Sequence, residues 1–267
     1  MGKFAFKKVR RQTRADLTCK KAFMELKALV KKGLSALHID LTRNMQYDRL
    51  TKQIMKLILT PSSNCIDIGC FKGEILYEMI RLAPEGFHFA FEPMPPYYNQ
   101  LKSRFNGNVK IFPYALSEGS GISNFKFVKN APAYSGLKIR NYNIQNPDIE
   151  DIKVETTSLD EIIPETLPIH FIKLDVEGGE LQVLRGAKNL IKKDKPVIVF
   201  ESGISAIKNY TTQPEDIFEF LEIDLNFKIS LLKDFIEKKL PLNREKFLEI
   251  YHSEKEYYFV AHPRIHQ

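Results

Sequence analysis

The feature that most constrains this chain is a succession of short apolar runs separated by segments of helical periodicity. The runs are Cys65–Ile68, Phe87–Phe91, Val109–Phe112, Ile169–Leu174 and Val197–Phe200, and helical patterns over 73–83, 94–105, 179–191 and 214–223 follow most of them. Runs this short and this apolar read as strands buried on both faces. Strands joined by crossover helices lie parallel in one sheet, with helices covering both sides. Two further runs, Phe227–Leu232 and Tyr257–Ala261, close the chain and read as a hairpin-type insertion at one edge. The expectation is an α/β protein with a doubly wound, seven-stranded mixed sheet. Residues 117–155 are polar and rich in Gly and Asn, with one β-like piece at Ser123–Val128. They are too long for an ordinary connection, and long loops of this kind often carry binding function.

In an open α/β sheet, ligands bind beyond the carboxyl ends of the strands. Here those ends are acidic. The first reads Asp67-Ile68-Gly69-Cys70-Phe71-Lys72-Gly73, the second ends at Glu92-Pro93, the fourth runs into Asp175-Val176-Glu177-Gly178-Gly179-Glu180, and the fifth ends at Glu201-Ser202-Gly203. Isolated buried carboxylates are costly, so packing alone does not explain four acidic ends in succession. Gly69 and Gly73 allow a tight strand-to-helix turn. Their spacing is G-x-x-x-G, not the G-x-G-x-x-G that seats a dinucleotide pyrophosphate. Glu92 stands where the acid of a second strand accepts ribose hydroxyls. Together these residues describe a nucleoside ligand that carries positive charge, and S-adenosylmethionine meets that description.

With these residues in view, the chain resembles the FkbM-type S-adenosylmethionine-dependent methyltransferases. The resemblance rests on Ile66-Asp67-Ile68-Gly69, Phe91-Glu92-Pro93, Ala115-Leu116-Ser117 and Ser158-Leu159-Asp160. Its most specific stretch is Ile172–Glu180, followed by Val183-Leu184-Arg185-Gly186-Ala187. It covers roughly residues 60–262 in the expected order. The resemblance implies a Rossmann-like class I methyltransferase fold and O-methylation, often of sugar or polyketide hydroxyls. It carries cofactor roles onto Asp67, Gly69, Gly73, Glu92, Ala115 and Leu116, with Cys70, Lys72, Pro93 and Asp175 beside them. One departure stands out: Cys70-Phe71 replaces the family's Ala-Asn, which leaves Lys72 as a partner for the carboxylate of the cofactor.

An alcohol acceptor must lose a proton during methyl transfer, and a positioned base assists that step. By strand topology Asp175 ranks first as that base, then Glu201, then Glu177. Several carboxylates in one cleft repel, so one of them should have a raised pKa. Glu177 and Glu180 have a second explanation, as acids placed at the start of the following helix. Asp175 and Glu201 could instead hold Mg²⁺, but no third ligand follows from the spacing. Pro95-Pro96-Tyr97 reads as a helix start, and His88 as a satisfied core histidine. The stretch 130–142 mixes aromatic, hydroxyl and basic groups that suit a sugar or glycolipid precursor, and Asn209-Tyr210 could close the same cleft.

Charge separates the chain into two parts. Residues 1–33 hold eleven Lys and Arg against Asp16 and Glu25, whereas the remainder holds 29 basic and 31 acidic residues. The overall charge of +7 therefore belongs to an N-terminal appendage. It has helical periodicity over 15–37, and a second helix is expected over 45–59, ended by Thr60-Pro61. The domain division read from this is a basic helical extension over 1–44 and the α/β body over 45–267. The basic segment motivates an alternative, an RNA or protein methyltransferase, and also a peripheral contact with the inner face of a membrane. A NAD-dependent oxidoreductase on a related sheet is a further alternative, opposed by the missing G-x-G-x-x-G. Cys19, Cys65 and Cys70 form no disulfide framework, and no signal-peptide or spanning pattern is present. The expected location is cytoplasmic.

Overall fold

The computed structural model describes residues 42–139, 144–204 and 210–263. The helix expected over 15–37 lies outside them, whereas Asn44 and Met45, at the expected division, are described. By its internal contacts the chain divides into a unit ending at Arg49 and a unit from Leu50 to Gln267. A helix, α1 (Arg43–Ile58), runs across that division, and the second unit is the one described below.

The α/β alternation follows the sequence pattern closely. The order is β1 (Cys65–Ile68), α2 (Glu74–Leu82), β2 (His88–Phe91), α3 (Pro95–Arg104), β3 (Val109–Phe112), β4 (Tyr114–Leu116), β5 (Gly121–Val128) and β6 (Ile149–Thr157). There follow α4 (Leu159–Ile162), β7 (Phe171–Leu174), α5 (Glu180–Arg185), α6 (Lys188–Asp194), β8 (Val197–Glu201) and α7 (Pro214–Glu219). The chain ends with β9 (Phe227–Leu231), α8 (Leu232–Ile236), α9 (Arg244–His252) and β10 (Tyr258–Pro263).

Among the described residues these strands form two sheets. The larger has seven strands in the order β3-β2-β1-β7-β8-β10-β9, parallel except for β10, which pairs antiparallel with both β8 and β9. This is the expected seven-stranded mixed sheet. Strands β1, β2 and β7 are buried at every position, including Asp67, His88 and Lys173 within their mainly apolar runs. The largest apolar cluster joins Ile66, Phe89, Leu174, Phe200, Phe247 and Phe259 across the sheet and its flanking helices.

Three details differ from the expectation. The polar region 117–155 contains most of a second sheet, β4-β6-β5, with β6 parallel to β4 and antiparallel to β5. In β6 the residues Glu150, Asp151, Lys153 and Glu155 face solvent while Val154 is buried, so a one-sided strand resembles a polar loop in composition. The single helix expected over 179–191 is two, α5 and α6, broken at Gly186-Ala187. A Cβ on Gly186 would lie 2.1 Å from the Ser117 carbonyl oxygen, so that position takes glycine. The closing strands are not joined by a tight hairpin, because α8 and α9 lie between them.

Candidate active site

Strand geometry brings the acidic groups to one edge of the larger sheet. Side chains alternate faces along a strand, so residues two apart share a face. Asp67 pairs in register with both Ala90 and Lys173. Glu92 follows Ala90 by two positions, and Asp175 follows Lys173 by two. Leu174 pairs with Phe200, which brings Glu201 level with Asp175, and Tyr258 pairs directly with Glu201. Asp67, Glu92, Lys173, Asp175, Glu201 and Tyr258 therefore project from one face at the carboxyl ends of β1, β2, β7 and β8.

The loop after β1 shapes the near side. Gly69 has φ +73°, and a Cβ there would stand 1.8 Å from the Asp175 carbonyl oxygen. Only glycine permits that crossing. The Gly69 and Cys70 amides both donate to the Phe91 carbonyl, at 3.0 and 3.2 Å, and the Asp175 amide donates to the Ile68 carbonyl at 3.1 Å. The loops after β1, β2 and β7 are thus fastened together. Phe71 also sits at positive φ (46°), and its ring lies 4.4 Å from that of Tyr97.

Glu92 is almost wholly buried and receives the Phe71 amide on Oε2 at 2.8 Å and the Met94 amide on Oε1 at 2.9 Å. Burial pushes its carboxyl up to about 7, assisted by the negative charges of Asp67 and Asp175 and opposed by those two amides. Each carboxylate oxygen keeps a lone pair for a further donor. Pro93 is half-buried beside it. Met94 and Ala115 pack with Phe125 and Val154 in a small cluster that also takes in Phe71, Tyr97 and Leu137.

The centre of the site is Asp175. Its Oδ2 accepts from Lys173 Nζ at 2.7 Å and from the Tyr258 hydroxyl at 2.8 Å. Burial pushes the Asp175 carboxyl upward, but the Lys173 ammonium and the bonds from Lys173, Tyr258 and Glu201 outweigh it and hold the group below its ordinary value. Glu201 goes the other way, to about 8, through burial and the charge of Asp175. The sequence reading expected one carboxyl in this cleft to be raised. The raised groups here are Glu201, Glu92 and Glu180, whereas Asp175 is lowered. Lys173 stays charged despite burial because Asp175 and Asp67 surround it.

The other sequence candidates are placed around these groups. The Cys70 side chain is packed with Leu76, Ala90 and Leu101, which leaves its backbone as what it can offer a ligand. Lys72 is exposed, with Nζ 5.0 Å from the centre of the Phe71 ring. Glu177 adopts φ 61° just ahead of Gly178, with Gly136 of the 130s loop close to its Cβ. Glu180 is fully buried at the start of α5, and its Oε1 accepts from the Gly178 amide at 3.0 Å and the Val176 amide at 3.4 Å. Burial raises it to about 7. It closes its own turn, as the helix-start explanation expects. His88 is a buried core histidine with Nε2 2.9 Å from the Ala83 carbonyl, but its Nδ1 has no hydrogen-bond partner, so the expected satisfaction is only half met, and α3 begins at Pro95 as read.

Two members of the site escaped the sequence reading. Lys173 carried a signal, since a lysine inside a buried strand is rare unless paired. Tyr258 lies 83 positions from Asp175, and no local pattern links them. Among the described residues, no cluster of three or more His, Cys, Asp or Glu side chains is arranged to hold a metal. No described helix is long and apolar enough to cross a membrane.

A cavity of about 440 Å³, within the usual range for small-ligand sites, is bordered by Gly179 of the loop after β7 and by the end of β4. Leu116 and Ser117 line one side of it, with Ser123, Asn124, Lys138 and Tyr210 among the others. The 130s loop and Tyr210 thus meet at one cavity, while 140–143 and Asn209 lie outside the described residues.

The hexuronic acid methyltransferase AglP of Haloferax volcanii is 31% identical over 158 residues, which is 55% of this chain and 59% of that protein. The chain therefore spans less than two thirds of that relative's length. Among solved structures, an FkbM methyltransferase from Methylobacillus flagellatus KT aligns with a TM-score of 0.47 at 15% identity, over 76% of this chain and 44% of that one. The plantazolicin methyltransferase BpumL in complex with SAH aligns with a TM-score of 0.42 at 12% identity, over 92% and 99%. The model of the methyltransferase FkbM domain matches residues 67–229, well over half of the chain and including Asp67, Glu92, Asp175 and Glu201, and the chain belongs to that family.

Proposed function

We propose that this chain is an S-adenosylmethionine-dependent O-methyltransferase that acts on a hydroxyl of a sugar, with an acidic sugar such as a hexuronate as the acceptor class. The observation that carries the reading is the set of carboxylates at one sheet edge, Asp67, Glu92, Asp175 and Glu201, which the single ammonium of Lys173 does not balance. An excess of acid at a ligand-binding edge suits a cationic ligand. Family membership replaces the oxidoreductase alternative, and the chain lacks a G-x-G-x-x-G turn as well.

The residues present fit S-adenosylmethionine. Glu92 keeps acceptor capacity for ribose hydroxyls beyond the Phe71 and Met94 amides. The Gly69–Gly73 loop offers close backbone approach, and Ala115 and Leu116 supply apolar surface at the end of β4. When bound, the cofactor supplies the electrophilic methyl group. The cavity by Leu116 and Ser117 would seat the acceptor, with Ser123, Asn124 and Tyr210 as hydrogen-bonding groups and Lys138 as a cation for a sugar carboxylate. Asp175, anionic and fixed, would take the proton of the acceptor hydroxyl, and Glu201 beside it would hold the proton that keeps the pair singly charged. Mg²⁺ fits less well, because Lys173 Nζ already occupies a cation position on Asp175 Oδ2.

Radiolabelled S-adenosylmethionine with a panel of methyl glycosides and methyl uronosides tests this reading. Transfer to a uronoside in preference to the neutral sugar is expected. Transfer to RNA or protein with indifference to every glycoside would overturn it.

A further inference from the structure

We propose that Lys173 and Tyr258 are positioning residues for Asp175, pinning the charge and the orientation of that carboxylate from two directions. The proposal rests on the reading of Asp175 as the group that receives the acceptor proton, and extends it to the residues that keep Asp175 ionised and oriented.

Two donors converge on one oxygen. Lys173 reaches Asp175 Oδ2 from two positions earlier on β7, and Tyr258 reaches the same atom from β10, two strands away. Lys173 Nζ also stands 5.3 Å from the centre of the Tyr258 ring, within the range of a cation–π contact. A carboxylate held at one oxygen by donors from different strands cannot rotate without breaking a charge-assisted bond. Both donors are themselves nearly buried, Lys173 at 6% exposure and Tyr258 at 8%. A buried lysine is a costly way to stabilise a sheet, since apolar residues of similar volume often do as well or better. Its placement among acids makes sense as electrostatic control of those acids.

The groups that face Asp175 from each neighbouring element can be named. They are Lys173 on its own strand, Glu201 at the end of β8, Tyr258 on β10, Glu92 after β2, Asp67 on β1 and Glu180 at the start of α5. All but Lys173 and Tyr258 are acids, and like charges drive a carboxyl toward its neutral form. Lys173 and Tyr258 are therefore what holds the proton off Asp175, whereas burial and the charge of Asp175 put one on Glu201. Tyr258 also gives the antiparallel closing strand a part in the site.

The test is a titration of the side-chain carboxyls by ¹³C NMR on the full chain without cofactor, with the Asp175 signal assigned by its loss in Asp175→Asn. In the wild type the signal should titrate below the ordinary aspartate range. Lys173→Met should raise its midpoint by about 1–3 pH units and Tyr258→Phe by roughly one, as loss of a charge partner and of a hydrogen bond to the anion require. Tyr258→Phe keeps the ring and its packing, so it decides the matter even where Lys173→Met fails to fold. An unmoved midpoint in Tyr258→Phe overturns the proposal. With methyl glucuronoside as the acceptor probe, the acid limb of the rate profile should move to higher pH in step with the titration. A limb that stays in place while the midpoint moves also overturns it. If the wild type does not methylate that probe, the acceptor class proposed above fails, and the titration still decides the role of Lys173 and Tyr258.

Discussion

Glu180→Gln should make the protein more stable at pH 8 than at pH 5 relative to wild type. Glu180 is fully buried, and its carboxyl is raised to about 7 from an ordinary value of 4.5. A carboxyl raised on folding stabilises the native state fully below its unfolded pKa, and that contribution is lost as pH rises through the folded pKa. A rise of that size, at 1.36 kcal/mol per pH unit, corresponds to about 3 kcal/mol. Most of the loss falls between pH 5 and 7. Glutamine keeps a carbonyl oxygen for the Gly178 and Val176 amides and has no proton to lose. Its buried amide nitrogen lacks the lone pairs of the oxygen it replaces, which adds a penalty of about 1–3 kcal/mol that does not vary with pH. The informative quantity is therefore the slope of the difference and not its value at one pH. Urea unfolding of both proteins at half-unit steps from pH 5 to 8 measures it. Glu92 and Glu201 titrate in both and cancel to first order. The difference should swing by about 2–3 kcal/mol toward the variant, roughly 5–10 °C in Tm for a domain of this size. A difference that stays flat across the range would refute the buried-carboxyl argument, and with it the assignment of Glu180 to the turn.

The remaining expectations concern the ligand and the backbone. Glu92→Ala should weaken binding of S-adenosylmethionine by at least about tenfold, the worth of one hydrogen bond to a charged group, and unchanged affinity by isothermal titration would sink the site map. Because Glu92 titrates near 7 in the free protein, wild-type affinity should rise from pH 6 to 8, and the Glu92→Gln variant should lose that rise. Asp175→Ala should lower kcat by about 10²–10⁴, the usual worth of a positioned base, while calorimetry finds cofactor affinity changed only a few-fold. Gly69→Ala places a Cβ 1.8 Å from the Asp175 carbonyl oxygen and should prevent stable folding. Gly107→Ala, at φ +78° with nothing within 4 Å, should cost only the backbone penalty of about 1–2 kcal/mol in denaturant unfolding.

The sheet and its acidic edge were legible because both are written locally. Short, mainly apolar runs such as Cys65–Ile68 and Phe171–Leu174 mark strands buried on two faces, and a residue's place at the end of such a run puts it at the ligand edge. β6 was hidden for the opposite reason, since its charged residues line a solvated face and only Val154 and Thr157 are fully buried. The break at Gly186-Ala187 leaves no trace in the helical periodicity of 179–191. The electrostatic roles were the least legible. Ranking Asp175, Glu201 and Glu177 by strand topology located the first two at the edge, but the division of charge between them turns on Lys173 and on Tyr258, which register alone brings to Glu201.

That division bears on why the edge tolerates so much acid. Deionising is one way for a buried carboxyl to escape the cost of burial, and Glu201, Glu92 and Glu180 take it in the free protein, at about 8, 7 and 7. Pairing is the other, and Asp175 takes it through Lys173. The two strategies respond differently to a cationic ligand. A sulfonium arriving at this edge draws charge back onto the protonated acids, since an opposite charge within about 4–6 Å favours the ionised form. Asp175 is ionised beforehand and has no proton to release. Cofactor binding should therefore expel protons in proportion to the acids it ionises, Glu92 among them on the proposed reading that it takes the ribose hydroxyls. Calorimetric titration in buffers of differing ionisation enthalpy counts those protons. A release near pH 7 that disappears in Glu92→Gln and persists in Asp175→Asn would assign it to Glu92, and an equal loss in both variants would show that the two carboxyls titrate as one unit.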